Sequence, residues 1–547
     1  MKTKLTFLLL FSIFQFIFGQ EISGSWKGEL NIQGNKLPLI FHITKAKDGY
    51  QSTLDSPLQK SIGIPVDITT FGNNNLSLEI KALNAKYQGT LKDEKISGKF
   101  TQNGLELPLA LTSEDSQNTN IENYKFSQNL DESVKKINLF LDYLENKNYE
   151  GGAISIFKNG REVYQRKFGQ ENLPQKDQNP QILQIGSITK TMTAIMLFQL
   201  IEKKQLSLND KLAQYFPEIP NAQIITISQM LNHTSGLGDY AMGPQGDERW
   251  LQEPKTEKQI LDKIKEQGSL FKPGEKVQYS NSAYYLLTKI LEKITKKTYQ
   301  ENLRERIINP LQLKDFYTAG EKPKQVAESF TFTNKWTFVK DFDFNNVVGV
   351  GDIATNPNNL NIIINAFFNG KLVSKSSIEQ MLPKNEDNFG RGIMQVDFLN
   401  KKYLGHSGGT YGTYSFMLMN KDDNFSISYS LNAPRVSSKN FITYITNILY
   451  NKDFEYPKFN ETALSEADLQ KYTGEYSSKS IPLGLKIFIK DGILFAQGTG
   501  QPEFPLEYVK DHIFTFNTAG LKIIFNPEKQ EFELYQKGSL FQFSKNR

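Results

Sequence analysis

Leu183-Gln-Ile-Gly-Ser-Ile-Thr-Lys-Thr-Met-Thr-Ala-Ile-Met-Leu-Phe-Gln-Leu-Ile-Glu202 decides how the chain is read. Met192 to Ile201 is a nearly unbroken apolar run, too long and uniform for an edge strand, so the stretch predicts a buried helix starting at or near Ser187. Ser187 and Lys190 are three residues apart, and positions i and i+3 of a helix share a face, so the Lys190 amine can reach the Ser187 hydroxyl. The helix start adds unpaired N–H groups and positive potential, which favour both an oxygen nucleophile and an oxyanion. The Ser-x-x-Lys spacing is weak alone, because Ser133/Lys136 and Ser269/Lys272 repeat it. Neither of those opens a buried apolar helix. Ser133 lies on an amphipathic helix and Ser269 before a Lys-Pro-Gly turn, and both read as surface positions.

Two further segments add chemistry. Tyr279-Ser-Asn281, the only Tyr-x-Asn in the chain, follows Pro273-Gly274 and precedes the apolar helix Ala283 to Leu291. A tyrosine hydroxyl near a lysine ammonium has its pKa lowered. Tyr279 can then take a proton from Ser187 and return it to the leaving group. The Asn281 amide can bind a substrate carbonyl or N–H. A core tyrosine and a turn asparagine are the plainer alternative. In Tyr403-Leu-Gly-His-Ser-Gly-Gly-Thr410 a strand ends in small residues. Gly408 and Gly409 let a substrate backbone approach closely, and the Gly409 N–H can join that of Ser187 as an oxyanion hole.

In this order the three segments resemble the serine β-lactamase and penicillin-binding-protein superfamily. The match is to the class C β-lactamase-like branch, peptidase family S12, which also contains esterases and D-amino-acid peptidases. Leu231-Asn-His-Thr-Ser-Gly-Leu237, Phe271-Lys-Pro-Gly274, Gly349-Val-Gly-Asp352 and Gly390-Arg-Gly392 are similar to family landmarks, so the likeness spans about 130 to 450. The resemblance implies that Ser187 is the acylated nucleophile, Lys190 its partner and Tyr279 the general base. It implies that Asn281, His406 and Gly408 meet the substrate. His406 stands where β-lactamases of this type carry the lysine of Lys-Thr-Gly. An unperturbed histidine, with a pKa near about 6.5, is mostly uncharged at neutral pH. Esters or peptide amides are therefore expected over β-lactams, with penicillin acylation improving toward about pH 6. His233 is expected to be structural, near a helix end. The acidic residue that class A enzymes use for deacylation has no evident match. The implied activity is that of a serine hydrolase on an amide or ester, of D-amino-acid peptidase, peptidoglycan-peptide amidase or esterase type. A true β-lactamase, or a catalytically weak binding or scaffold protein at the cell wall, are the alternatives.

The 547 residues suggest three or so domains. A net charge of +5 from 64 basic and 59 acidic residues gives no electrostatic case for nucleic acid. The partner expected is a small-molecule or peptide substrate, cell-wall derived on one reading. Met1-Lys-Thr-Lys4, the apolar run Leu5 to Phe18 and Gly19 read as a signal peptide over 1–19, shorter than the roughly 20 residues of a spanning helix. The mature protein is expected to be exported, periplasmic or extracellular, with no stable membrane anchor. The absence of cysteine excludes disulfides, thiol nucleophiles and a lipidated N-terminal Cys. None of the four histidines has metal-ligand spacing, so no metal or cofactor is expected.

The predicted fold is multidomain. A central α/β domain over 128–452 has an antiparallel sheet flanked by helices and a helical subdomain. Its first helix carries Val134, Ile137, Leu141 and Leu144, with Asp131 as its expected cap. Alternating apolar residues and turn signals predict all-β domains of small barrel or lipocalin-like type at 20–113 and 453–547. The first resembles a β module that precedes secreted serine hydrolases, through Gly24-Ser-Trp-Lys-Gly28 and Asp55-Ser-Pro-Leu-Gln59. The second resembles C-terminal β domains of such hydrolases. The two show no residue-by-residue repeat. The polar stretch 114–127 reads as a linker.

Overall fold

A computed structural model describes residues 22–546 apart from 33–34, 47–48, 57–60, 73, 93–94, 103–104, 114–123, 175–181, 243–249, 322–325, 333–334, 385–387, 460–463, 479–480, 482, 500, 502, 517–518 and 537–538. The leader and most of the linker lie outside the described residues. The chain forms two compact units, 1–123 and 124–547.

The first unit is a nine-stranded antiparallel sheet in which consecutive strands pair, except the fourth and fifth, and the first, Gly24–Ile32, pairs with the ninth, Leu105–Ser113. The two end strands, Ser61–Val66 and Ile68–Gly72, are separated by Asp67 alone, so the sheet is a nearly closed barrel. Period-two alternation drives it: Leu76, Leu78 and Ile80 point inward along Asn75–Ile80, where they meet Phe41 and Tyr87. The strand Gly49–Ser56 escapes sequence reading because its outward positions, Gln51, Thr53 and Asp55, leave few apolar residues to alternate.

The second unit begins with the domain that carries the site. Its elements are α1 (Leu130–Asn146), β1 (Glu150–Lys158), β2 (Arg161–Phe168), α2 (Thr189–Glu202), α3 (Asn281–Thr295), β3 (Ser329–Phe332), β4 (Trp336–Val339), α4 (Pro357–Phe368), β5 (Met394–Phe398), β6 (Lys401–Gly409), β7 (Tyr414–Asn420), β8 (Phe425–Pro434) and α5 (Ser438–Leu449). Six strands form one antiparallel sheet in the order β2-β1-β8-β7-β6-β5. On one face α1 and α5 bury Phe140, Leu144, Phe441 and Ile445 against Ile154 and Tyr429. The other face carries α2, α3 and α4 in a larger core that includes Met417 and Met419 of β7.

Three local expectations change. Asn129, not Asp131, caps α1, its side chain accepting from the Glu132 N–H at 3.1 Å; Asp131 instead sits in the first turn. Ser133 is buried, not on the surface, and its hydroxyl donates back to Asn129 O at 3.3 Å. The core also continues past 452, because Phe454 and Tyr456 pack on α1, Phe459 packs on Tyr149, and Tyr143 donates to Pro457 O at 2.8 Å.

A second nine-stranded sheet occupies 474–545, with its first strand, Gly474–Ser477, paired to its last, Ser539–Lys545. Its ends, Glu503–Pro505 and Glu507–Lys510, are separated by Leu506. The strand order repeats that of the N-terminal barrel even though no sequence repeat is legible. Arg435, just past β8, ties this barrel to the six-stranded sheet domain through a two-pronged ion pair with Glu507, at 3.1 and 3.2 Å.

Candidate active site

Ser187 lies in a single 3-10 turn, Gly186–Ile188, that leads into α2. The first ten residues of α2 are all buried, so there is no solvent face toward which Lys190 can turn. Its side chain is 0% exposed, with Nζ 3.0 Å from Ser187 Oγ and 2.9 Å from Val350 O. The turn around Val350 is held by its N–H, which donates to Val347 O at 2.9 Å, and by Asp352, whose carboxylate accepts from the Gly349 N–H at 2.8 Å and the Ala319 N–H at 3.3 Å. Burial penalises the ammonium and lowers the Lys190 pKa to about 7, with the Asp239 carboxylate pulling the other way.

Tyr279 precedes α3 and enters the same cluster. Its ring stacks on His233 at 4.3 Å, and Lys190 Nζ lies over its face, 4.9 Å from the centroid. The cation therefore meets the ring and not the phenol oxygen. Burial raises the Tyr279 pKa, tempered by Ser187, so the lowering expected from the lysine does not occur. The hydroxyl is buried and has no hydrogen-bond partner of good geometry among the described residues, although Ser187 is near enough to temper its pKa. His233 accepts from the Ser280 N–H at Nδ1 (3.2 Å) and from the Gln278 N–H at its carbonyl (2.9 Å). It thus closes the helix Ile227–Leu231 and also braces the backbone on both sides of Tyr279.

Asn281 opens α3, and its N–H and Nδ2 both donate to Asp239 Oδ2, at 3.2 and 2.9 Å. With one Nδ2–H held there, its side-chain oxygen and second N–H are left to meet a substrate. Asp239, which also accepts from the Ala241 N–H at 3.0 Å, was not singled out from sequence. The signal was its place two residues after the Leu231–Leu237 landmark. Val350 was missed as well, because a backbone carbonyl leaves no mark in a residue pattern.

The third wall is β6. His406 is 3% exposed, and its Nδ1 lies 2.5 Å from Ser407 O. Burial, reinforced by Lys190, lowers its pKa to about 4, so the imidazole is neutral at pH 6 and the expected gain in acylation there has no basis in His406. Thr410 N donates to Thr413 O at 2.9 Å, and antiparallel ladders alternate. The Gly409–Tyr414 pair is therefore non-bonded, and the Gly409 N–H points away from β7. The strand lies against the turn of Ser187: a Cβ on Gly186 would lie 2.7 Å from Gly409 N, and one on Gly408 would lie 3.0 Å from Ser187 N. The two oxyanion candidates thus stand side by side. Of the other Ser-x-x-Lys pairs, Ser269 is exposed and bonded to Phe271 O, and Lys136 pairs with Glu132.

The cluster can be set beside known proteins. The Beta-lactamase family matches residues 137–458, more than half of the chain. PbpX of Bacillus subtilis (strain 168), a protein of penicillin-binding-protein type, is 28% identical over 258 residues, 46% of this chain; the match spans less than two thirds (63%) of that protein. A teichoic acid D-alanine hydrolase of Staphylococcus aureus (strain NCTC 8325 / PS 47) is 24% identical over 294 residues, 52% of this chain and 71% of that protein. In fold, the octameric penicillin-binding protein homologue from Pyrococcus abyssi superposes with a TM-score of 0.51 at 21% identity, covering 75% of this chain and 99% of its own. The family match encloses the whole cluster from Ser187 to Gly409, and the chain belongs to the β-lactamase family.

Proposed function

We propose that the protein is a serine hydrolase that cleaves an amide or ester through an acyl-enzyme on Ser187. The observation that carries this reading is the 3.0 Å approach of Ser187 Oγ to a buried amine whose pKa is brought to about 7. A neutral Lys190 takes the Ser187 proton as Oγ attacks the carbonyl carbon, and the N–H groups of Ser187 and Gly409 receive the oxyanion. The departing amine or alcohol needs a proton. Lys190, 3.0 Å from Ser187 Oγ, returns to it the proton it took. With its raised pKa, Tyr279 stays protonated beside Ser187 and donates a hydrogen bond to the departing group; it is not a standing phenolate base. Water then attacks the acyl-enzyme by the reverse path.

Asn281, His406 and Gly408 position the substrate. A neutral His406 offers a hydrogen bond without an ion pair, so a substrate with no obligatory carboxylate at that point fits better than a β-lactam. The name of the staphylococcal relative supports a D-alanyl or similar D-amino-acid group as the acyl part. An exported location, set by residues 1–19, and lipocalin-like β domains complete the proposal. The test is hydrolysis of D-alanyl amide, L-alanyl amide, a short ester and a cephalosporin by the wild type and Ser187→Ala. The expected result is turnover of the ester and the D-amide, slow cephalosporin cleavage, and no activity in the variant. Rapid cephalosporin turnover, or activity that survives in Ser187→Ala, contradicts the proposal.

A further inference from the structure

The C-terminal barrel buries a core of its own, with Tyr476, Phe514, Phe525 and Phe532 each 4% exposed or less, but Leu483, Phe504, Phe516 and Phe541 are only half-buried. These last four side chains line a cavity of about 1400 Å³, walled on one side by the C-terminal barrel and on the other by the catalytic domain. The catalytic wall includes Trp250, Tyr411, Tyr414 and the β3–β4 hairpin. Phe338 on that hairpin is 54% exposed, a large apolar side chain with no core to enter.

The cavity adjoins the reacting centre through two chain segments. Thr410, in its wall, directly follows Gly409, and Ala241, also in its wall, is two residues from the Asp239 that holds Asn281. Consecutive Cα atoms are about 3.8 Å apart, so this part of the wall lies about 4 Å along the chain from the candidate oxyanion strand and up to about 7 Å from Asp239. The Asp341 carboxylate fixes that edge by accepting from Thr410 Oγ1 at 2.5 Å and the Tyr411 N–H at 3.1 Å. The charged lining groups are Lys335, Lys340, Lys490, Asp491 and Glu503; Lys490 and Glu503 pair with each other, and Lys340 pairs with Glu253 at 3.1 Å, while Leu483, Leu485, Phe495, Phe504, Phe516 and Phe541 make the apolar end. A peptide entering the apolar end would bring N–H and C=O groups that each need a partner there, whereas a hydrocarbon chain brings none.

We propose that this cavity takes the unbranched hydrocarbon tail of an amphiphilic substrate whose polar end presents its ester or amide to Ser187. The proposal rests on the serine hydrolase reading and deepens it by naming the substrate class. The tail can belong to the acyl part or to the leaving group, and two series of substrates distinguish these sources. One is p-nitrophenyl alkanoates of increasing acyl length; the other is D-alanine alkyl esters of increasing alcohol length. In the series that matches, kcat/KM should rise by up to about fourfold per methylene until the cavity is full, the equivalent of burying each CH₂. The double substitution Leu483→Gln, Phe516→Gln, at half-buried positions outside the catalytic cluster, should leave the shortest substrate unaffected and remove most of the gain with length.

Kinetics that are flat with length in both series, or a gain that survives the double substitution, overturn the proposal while leaving the hydrolase reading intact. Should no ester be cleaved, that reading fails, and the cavity is read separately by calorimetry with sodium dodecanoate below its micellar range. Binding by the wild type that the double substitution weakens at least tenfold supports the cavity assignment. Absence of binding overturns it. A misfolded double variant is replaced by Phe541→Gln alone, scored in the same way.

Discussion

At Lys190, burial opposes charge. Its pKa falls from 10.5 to about 7, so the folded protein binds one proton fewer than the unfolded chain between those values. Stability therefore rises with pH across that window, and below about 7 the full cost of a buried ammonium is carried. Lys190→Met should raise Tm at pH 6 by more than at pH 10 while abolishing turnover. A Tm change that is equal at both pH values would show that the amine is charged throughout. Acylation by the wild type should fall tenfold per unit below about pH 7 and level off above it, as Lys190 loses its proton. No inflection from His406 is expected between pH 5 and 8, since its pKa is held at about 4. Tyr279→Phe removes a buried hydroxyl that has no partner, so the variant should fold with unchanged or higher Tm. Its kcat should drop by about a hundred- to ten-thousand-fold, with little change in KM. Equal effects on kcat and Tm would mark Tyr279 as a packing residue. The pairing of Ser187 with Lys190 was legible because an i, i+3 spacing is local geometry. The states of Tyr279 and Lys190 were not, because desolvation depends on what the rest of the chain places around them.

At the scale of elements, the contact between the Ser187 turn and β6 is a contact of backbones. A Cβ on Gly408 would lie 1.9 Å from Ile185 O, and Gly186 has φ +52° with its own Cβ position 2.7 Å from Gly409 N and O. The glycines of β6 were read from sequence as room for a substrate. Their first task is room for the protein itself, a tertiary approach that Gly-Gly in a sequence does not distinguish from the other. Gly408→Ala should cost about 1–3 kcal/mol of stability and most of the activity, measured by chemical denaturation and ester hydrolysis. An active variant of unchanged stability would show that β6 can retreat from the turn. Helix α3 is set by a similar local device: Asp239 holds both the N–H and the side chain of Asn281. Its role was hidden because the loop and the helix are 42 residues apart in the chain.

Across the second unit, Arg435 joins domains that read as separate in the sequence. It is 6% exposed, pairs with Glu507, and lies over the rings of Phe332 and Phe459 at 3.9 and 4.2 Å. Removing one partner of such a buried pair strands the other charge, so Glu507→Ala should destabilise the protein by about 3–5 kcal/mol. Arg435→Met, which keeps the aromatic packing and leaves the less buried Glu507, should cost less. Equal losses, measured by denaturant unfolding, would contradict the assignment. The overall plan was legible from alternation and turn signals, but the barrels' shared strand order was not, since pairing order leaves no trace in composition. The central claim, that Ser187 is a nucleophile activated by a neutral buried lysine, is tested most directly by the intact mass of the full chain after reaction with a fluorophosphonate at several pH values. The account predicts a single adduct on Ser187, formed faster as pH rises through about 7 and absent in Ser187→Ala. An adduct on another residue, or labelling of Ser187 that is unchanged between pH 5 and 9, would contradict it.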